Sequence, residues 1–132
     1  MEWKQEYRIG IHELDEQHKT LVECISIIEQ AVAQYDRPSV DAAIAQLATF
    51  AKDHFKLEEG LMRSHDYPRL EEHAYDHKQF LGLLRALQEP FLTTDVFRDR
   101  IGSLHEWWET HVQMDDKAYA LHILKHTALG KA

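Results

Sequence analysis

Cysteine is almost absent from the sequence: Cys24 is the only one among 132 residues. That excludes an intramolecular disulfide and a thiolate cluster, and leaves Cys24 as a small core side chain on a helix. Long apolar runs are missing as well. None approaches membrane-spanning length, and the N-terminal MEWKQEYRIG lacks the apolar core of a signal peptide. A cytoplasmic protein without membrane insertion is the expectation. Positive charge is in short supply: the net charge of -8 argues against nucleic acid or an anionic membrane as partner. Strand signals, internal repeats, low-complexity segments and linkers are absent. So are HExxH, GxSxG, the P-loop and the dinucleotide fingerprint.

What remains is an ordinary globular balance, 44% hydrophobic and 29% charged, on a chain long enough for one domain spanning 1–132. The unusual count is ten histidines. They centre on the stretch HFKLEEGLMRSHDYPRLEEHAYDH, from His54 to His77. It holds two pairs with metal-ligand spacing, His54-x-x-x-Glu58 and His73-x-x-x-His77. Residues four apart share one face of an α-helix, so each pair can aim at one point. Between them Asp66-Tyr67-Pro68 signals a turn. One such pair is weak evidence, because a surface or satisfied core histidine explains it better. Two pairs mirrored about a turn are harder to dismiss.

Read in order, residues 1 to about 15 form an arm with Trp3, Tyr7, Ile9, Ile11 and Leu14, interrupted by Gly10. The apolar residues of the arm can cover one end of a helix bundle. A first helix is expected from about Asp15 to Tyr35, with Leu21, Val22, Ile25, Ile28 and Val32 at helical spacing and His18 on the same stripe. Asp36-Arg37-Pro38-Ser39 separates it from a second helix over about 40–65, with Ser39 a candidate N-cap. That helix should bury Ile44, Leu47, Phe50 or Ala51, His54, Glu58 and Leu61. A third helix runs from about Pro68 to Gln88. A fourth, over about 95–113 with Thr94 or Asp95 as cap, carries Phe97, Ile101, Leu104, Trp107, Trp108 and His111. A short last helix covers about 116–126. The pattern is all-α, an up-down-up-down four-helix bundle with an N-terminal arm and a short C-terminal helix.

Antiparallel neighbours permit a register check. Reflected through the connection near 37–38, His54 and Glu58 fall near positions 21 and 17, beside His18. Reflected through the connection near 91–92, His73 and His77 fall near 110 and 106, beside His111. One histidine from each outer helix thus reaches the level of the central pairs. A further carboxylate is offered by Asp115 and Asp116. On an unbroken helix Asp115, four residues after His111, shares its face, whereas Asp116 is rotated away by about 140°. Asp116 can turn inward only if the helix breaks and the aspartates open a new one.

The pattern resembles the hemerythrin family, specifically its bacterial single-domain members. The resemblance is carried by Gly10-Ile11…Leu14-Asp15-Glu16-Gln17-His18-Lys19, His54-Phe-x-x-Glu58-Glu59-x-Leu61-Met62, Tyr67-Pro68, His73-x-x-x-His77 and Trp107-x-x-x-His111-x-x-x-x-Asp116-x-x-Tyr119. It spans nearly the whole chain and favours Asp116 over Asp115. The resemblance implies a non-haem di-iron site that binds O2 reversibly. One iron (Fe2+/Fe3+) would take His73, His77 and His111, the other His18 and His54. Glu58, Asp116 and an oxo or hydroxo group would bridge them. Counted so, one iron is saturated and the other keeps an open position, the mark of a reactive centre. Five neutral imidazoles against two carboxylates limit electron donation and favour carriage over O–O cleavage.

Trp107, Met62, Leu21, Val22 and Leu104 are expected near the ligand level, lining an apolar O2 pocket, although ordinary core packing would account for them too. His12, His65, His105, His122 and His126 read as surface or capping residues. Carboxylates that orient the ligating imidazoles are expected, without a choice among them. The functional expectation is an oxygen carrier, store or delivery protein rather than an enzyme. The alternatives are an O2 or redox sensor acting through a partner, an enzyme reacting with nitric oxide or peroxide, and a metal-buffering or structural bundle.

Overall fold

The computed structural model describes residues 1–34 and 36–130. A 3-10 turn, Gln5–Tyr7, is followed by α1 (His12–Gln34), α2 (Arg37–Ser64), α3 (Leu70–Leu87) and α4 (Thr94–Thr110). The last helix then widens into a π-helical segment, His111–Asp116, and continues as α5 (Lys117–Gly130). Helices α1 to α4 pack in sequence, α1 on α2, α2 on α3 and α3 on α4, and α4 closes back on α1. This is the expected four-helix bundle, with its arm and C-terminal helix.

The boundaries follow local chemistry. α1 starts three residues before Asp15, whose buried carboxylate accepts the Ile9 amide at 2.7 Å and ties the arm to the first helical turn. Its expected end, Tyr35, lies outside the described residues. Gly10 sits at φ +94, a backbone region costly for a side-chain-bearing residue, and turns the arm into α1. α2 begins at Arg37 with Pro38 in its first turn, where a missing N–H costs nothing. Ser39 does not cap it but donates to the Asp36 carboxylate. α4 is capped by Thr93, whose hydroxyl accepts the Val96 amide at 3.2 Å. Thr94 and Asp95, the expected caps, lie inside the helix, because a cap side chain must reach the amide three residues on.

Between α2 and α3 the chain reverses through a Schellman motif. The Tyr67 amide bonds to the Met62 carbonyl at 2.9 Å and the Asp66 amide to the Arg63 carbonyl at 3.2 Å, with Asp66 at φ 53. The tight reversal holds α2 and α3 side by side, the register that levels the two central pairs. The interior is closed by side chains such as Ile25, Ile44, Leu47, Phe80, Leu84 and Trp108. On α2 the interior position falls to Ala51 rather than Phe50, and one turn beyond Glu58 to Met62 rather than Leu61.

Candidate metal centre

Eight buried polar or charged side chains stand out among the described residues: Asp15, His18, His54, Glu58, His73, His77, His111 and Asp116. Apart from Asp15, they are the seven candidate ligands. An unpaired charge costs several kcal/mol to bury, so a bundle interior holding two carboxylates demands compensation at the same place.

The structure brings the seven together in two groups, each with its donor atoms within 4.8 Å of one another: His73, His77, His111 and Asp116, and His18, His54 and Glu58. The carboxylates join the groups. Asp116 Oδ1 lies 2.9 Å from His73 Nε2 and 3.1 Å from His111 Nε2, while its Oδ2 lies 3.2 Å from His18 Nε2. Glu58 Oε1 lies 3.0 Å from His54 Nε2 and 3.5 Å from His77 Nε2. Nε2 of His18, His73, His77 and His111, Glu58 Oε1 and Asp116 Oδ1 are buried without a hydrogen-bond partner. Inward-pointing lone pairs that close on one another without hydrogen-bond geometry are the donor set a metal satisfies.

Three of the five outward ring nitrogens are held, whereas His18 Nδ1 is buried without a hydrogen-bond partner among the described residues. His54 Nδ1 donates to Gln17 Oε1 at 2.6 Å, His77 Nδ1 to Glu59 Oε2 at 2.9 Å and His111 Nδ1 to Asp115 Oδ2 at 3.1 Å. A proton kept on Nδ1 leaves the Nε2 lone pair facing inward. Gln17 reaches from α1 to α2 and Glu59 from α2 to α3. One signal was available in the sequence: Gln17, Glu59 and Asp115 each stand next to a candidate ligand. A neighbouring residue is turned by about 100°, toward the adjoining helix. Asp76 also groups with His111 and Asp115. That cluster shares the outer face of the His111 ring, whose Nδ1 Asp115 already engages.

The two aspartates divide their work through the π-helical segment. An outright break between His111 and Asp116, with a new helix opened by the aspartates, is not what the structure contains. The helix instead adopts i→i+5 pairing over His111–Asp116, which brings the residue five positions on back to the same face. Asp116 is buried against His111 Nε2, and Asp115, 38% exposed at its side chain, engages Nδ1 from outside.

Electrostatics follow from this crowding. Burial opposes the charge on Asp116 and Glu58, but the surrounding imidazoles outweigh it and hold both carboxyls well below the usual range. Burial likewise opposes protonation of His18 and His111. Contact with Asp116, joined by Glu58 and, for His111, Asp115, overcomes it and raises them to about 9 and about 10. Without a metal, then, protons supply the cationic charge that the carboxylates require. Tyr119 donates its hydroxyl to Glu58 Oε2. Burial, then the Glu58 charge, pushes that phenol well above its ordinary value.

The pocket candidates divide. Met62, Leu21, Val22 and Leu104 are fully buried. Trp107 is half-buried and stacks on His111, with ring centroids 4.4 Å apart, on the side of the four-ligand group. The ring nearest His18 among the tryptophans is Trp108, edge-on at 6.1 Å, which the sequence reading passed over. Of the remaining histidines, His122 and His126 donate to the carbonyls of His65 and His122 at 2.7 and 2.9 Å. His65 donates to Leu61 at 2.8 Å, a capping role. His105 lies between Glu109 and Glu29.

Comparison with known proteins places this geometry. A bacteriohemerythrin of Stenotrophomonas maltophilia (strain R551-3) is 27% identical over 125 residues, covering 94% of this chain and 82% of that protein. A myohemerythrin of Theromyzon tessulatum is 27% identical over 118 residues, with 89% of each chain covered. A crystal structure of wild-type hemerythrin superposes with a TM-score of 0.80 at 24% identity, over 93% of this chain and 97% of that one, a likeness of fold. The family described as the hemerythrin HHE cation binding domain matches residues 9–121, a span that includes all seven converging side chains. The chain belongs to the hemerythrin family.

Proposed function

We propose that this chain, as one domain over 1–132, binds O2 reversibly at a pair of irons and serves as an oxygen carrier, store or delivery protein of the cytoplasm rather than as an enzyme. One observation carries the reading: the two donor groups are unequal, four side chains against three, and a carboxylate of each group reaches an imidazole of the other. His73, His77 and His111 would hold one iron, His18 and His54 the other, with Glu58 and Asp116 shared between them. When bound, such a pair would supply two electrons for reversible combination with O2.

The protein's own part is to shape that chemistry. Gln17, Glu59 and Asp115 keep the His54, His77 and His111 imidazoles in the ligating tautomer. The shorter donor set, on the His18 and His54 side, leaves room for a small ligand. Buried side chains around it keep bulk water and its protons away. Five imidazoles to two carboxylates restrain electron donation.

The test is metal analysis with a visible spectrum of the air-exposed protein. Two irons per chain with oxo-bridge absorption are expected. Labile, sub-stoichiometric or absent metal would replace this reading with a metal-buffering or structural one.

A further inference from the structure

A row of oxidisable rings leads from the surface to the three-ligand group. Trp3 meets Tyr7 edge-on at 5.6 Å between ring centroids, Tyr7 meets Trp108 at 4.9 Å, and Trp108 meets His18 at 6.1 Å. Tyr7 and Trp108 are buried; Trp3, on the N-terminal arm, is partly exposed. Packing alone asks only for apolar bulk here. Yet the indole Nε1–H of Trp108 is buried with no acceptor. The Tyr7 hydroxyl also meets none in full hydrogen-bond geometry, although the Glu109 carboxylate acts on it. A phenylalanine in place of Tyr7 would fill the same space without burying a hydroxyl. What tyrosine and tryptophan offer and phenylalanine does not is the ability to give up an electron.

We propose that Trp108, Tyr7 and Trp3 form an electron-supply route that protects the metal centre against hydrogen peroxide, drawing on small thiols at the surface. The inference rests on the di-iron reading above. With the irons bound and oxidised by one peroxide, Trp108 would return an electron to them. Tyr7 passes an electron from Trp3 to Trp108 and ends each passage as it began. Lys19 lies 5.6 Å over the Trp3 ring and disfavours a cation there, so oxidised Trp3 sheds its proton to solvent and a thiol restores it. Two passages balance the step: one hydrogen peroxide and two thiols give one disulfide and two waters. The other tryptophan beside a ligand, Trp107, is half-buried and stacks on His111 at 4.4 Å; it is the competing one-step route, which the experiment separates from this one.

The experiment takes iron-loaded protein, its metal content and spectrum checked first, and adds stoichiometric hydrogen peroxide without thiol. Oxidised residues are located by peptide mass spectrometry, and radicals by freeze-quench electron paramagnetic resonance. In wild type, oxidation concentrates on Trp3, severalfold above Trp107. Tyr7→Phe lowers Trp3 oxidation severalfold and shifts damage to Trp108, with faster iron loss. Trp3→Phe leaves the radical on Tyr7, and covers the case in which Tyr7→Phe does not fold. With dithiothreitol present, wild type consumes peroxide faster than either variant. Oxidation concentrated on Trp107, or Trp3 oxidation unchanged in Tyr7→Phe, overturns the route. Protein without iron at the outset overturns the metal reading beneath it. Iron-loaded protein that cycles O2 but never oxidises Trp3 overturns the route alone.

Discussion

His111 and Asp116 stand five residues apart, yet Nε2 of one and Oδ1 of the other lie 3.1 Å apart. On an α-helix they would diverge by about 140°. The π-helical segment removes that divergence and leaves Asp115 to hold the opposite ring nitrogen. Replacing the aspartates separately should therefore give different losses. Asp116→Ala should abolish the two-metal stoichiometry. Asp115→Ala should keep it and weaken metal affinity about 10–100-fold, the usual cost of an outer partner. Competitive titration against a chelator measures both, and the reverse ranking would show that the wrong aspartate has been chosen.

Gln17 and Glu59 make the same argument from other helices. Gln17→Ala and Glu59→Ala each remove the acceptor of a ligating imidazole's outer N–H, from His54 and His77. Each should lower metal affinity about 10–100-fold while the far-ultraviolet circular dichroism stays helical. An unchanged affinity in both would mean that packing alone orients these rings.

Tyr119→Phe removes the hydroxyl that Glu58 accepts. The carboxylate oxygen is then stranded in the core, and the metal-free protein should lose about 1–3 kcal/mol of stability. Urea unfolding reads this as a lower midpoint at an unchanged slope. A midpoint equal to wild type would contradict the role given to Tyr119.

Protons and metal compete for the same nitrogens. In the metal-free protein His18 and His111 have their pKa raised to about 9 and about 10, so both are protonated at pH 7. Because the folded values exceed the unfolded one, these protons stabilise the metal-free fold fully below about pH 6.5, and the contribution fades as pH rises through 9 to 10. Metal loading at pH 7 should release roughly two protons per chain, and metal affinity should rise with pH. A weakly buffered titration with an indicator dye counts them. Loading without proton release would contradict the assignment of these two histidines.

Much of this was legible in the sequence, for a physical reason. His54, Glu58, His73 and His77 repeat at the spacing that shares a helix face, and the Asp66-Tyr67-Pro68 turn fixes their common level. His18 and His111 could be placed by reflecting the chain through its connections. The π-helical segment could not be read, since a spacing of five has no meaning until the backbone widens. Gln17 and Glu59 were hidden for another reason: polar neighbours of a buried residue are common, and only the packed helices reveal which of them reach a ring. Trp107 and Trp108 differ by one position and about 100° of helical rotation. Periodicity put both on the fourth helix and only Trp107 was expected near the ligand level; packing decided that Trp108 faces His18 while Trp107 covers His111.

The central claim is reversible O2 binding at two irons, and repeated oxygenation tests it most directly. Anaerobically reduced, iron-loaded protein is exposed to O2 and then to vacuum through several cycles, with O2 uptake and the visible spectrum followed together. The account expects one O2 taken up for every two irons, full release when O2 is removed, and the same amplitude on the next cycle. Oxidation to diferric iron at first exposure, with free peroxide or water as product and no recoverable O2, would contradict it.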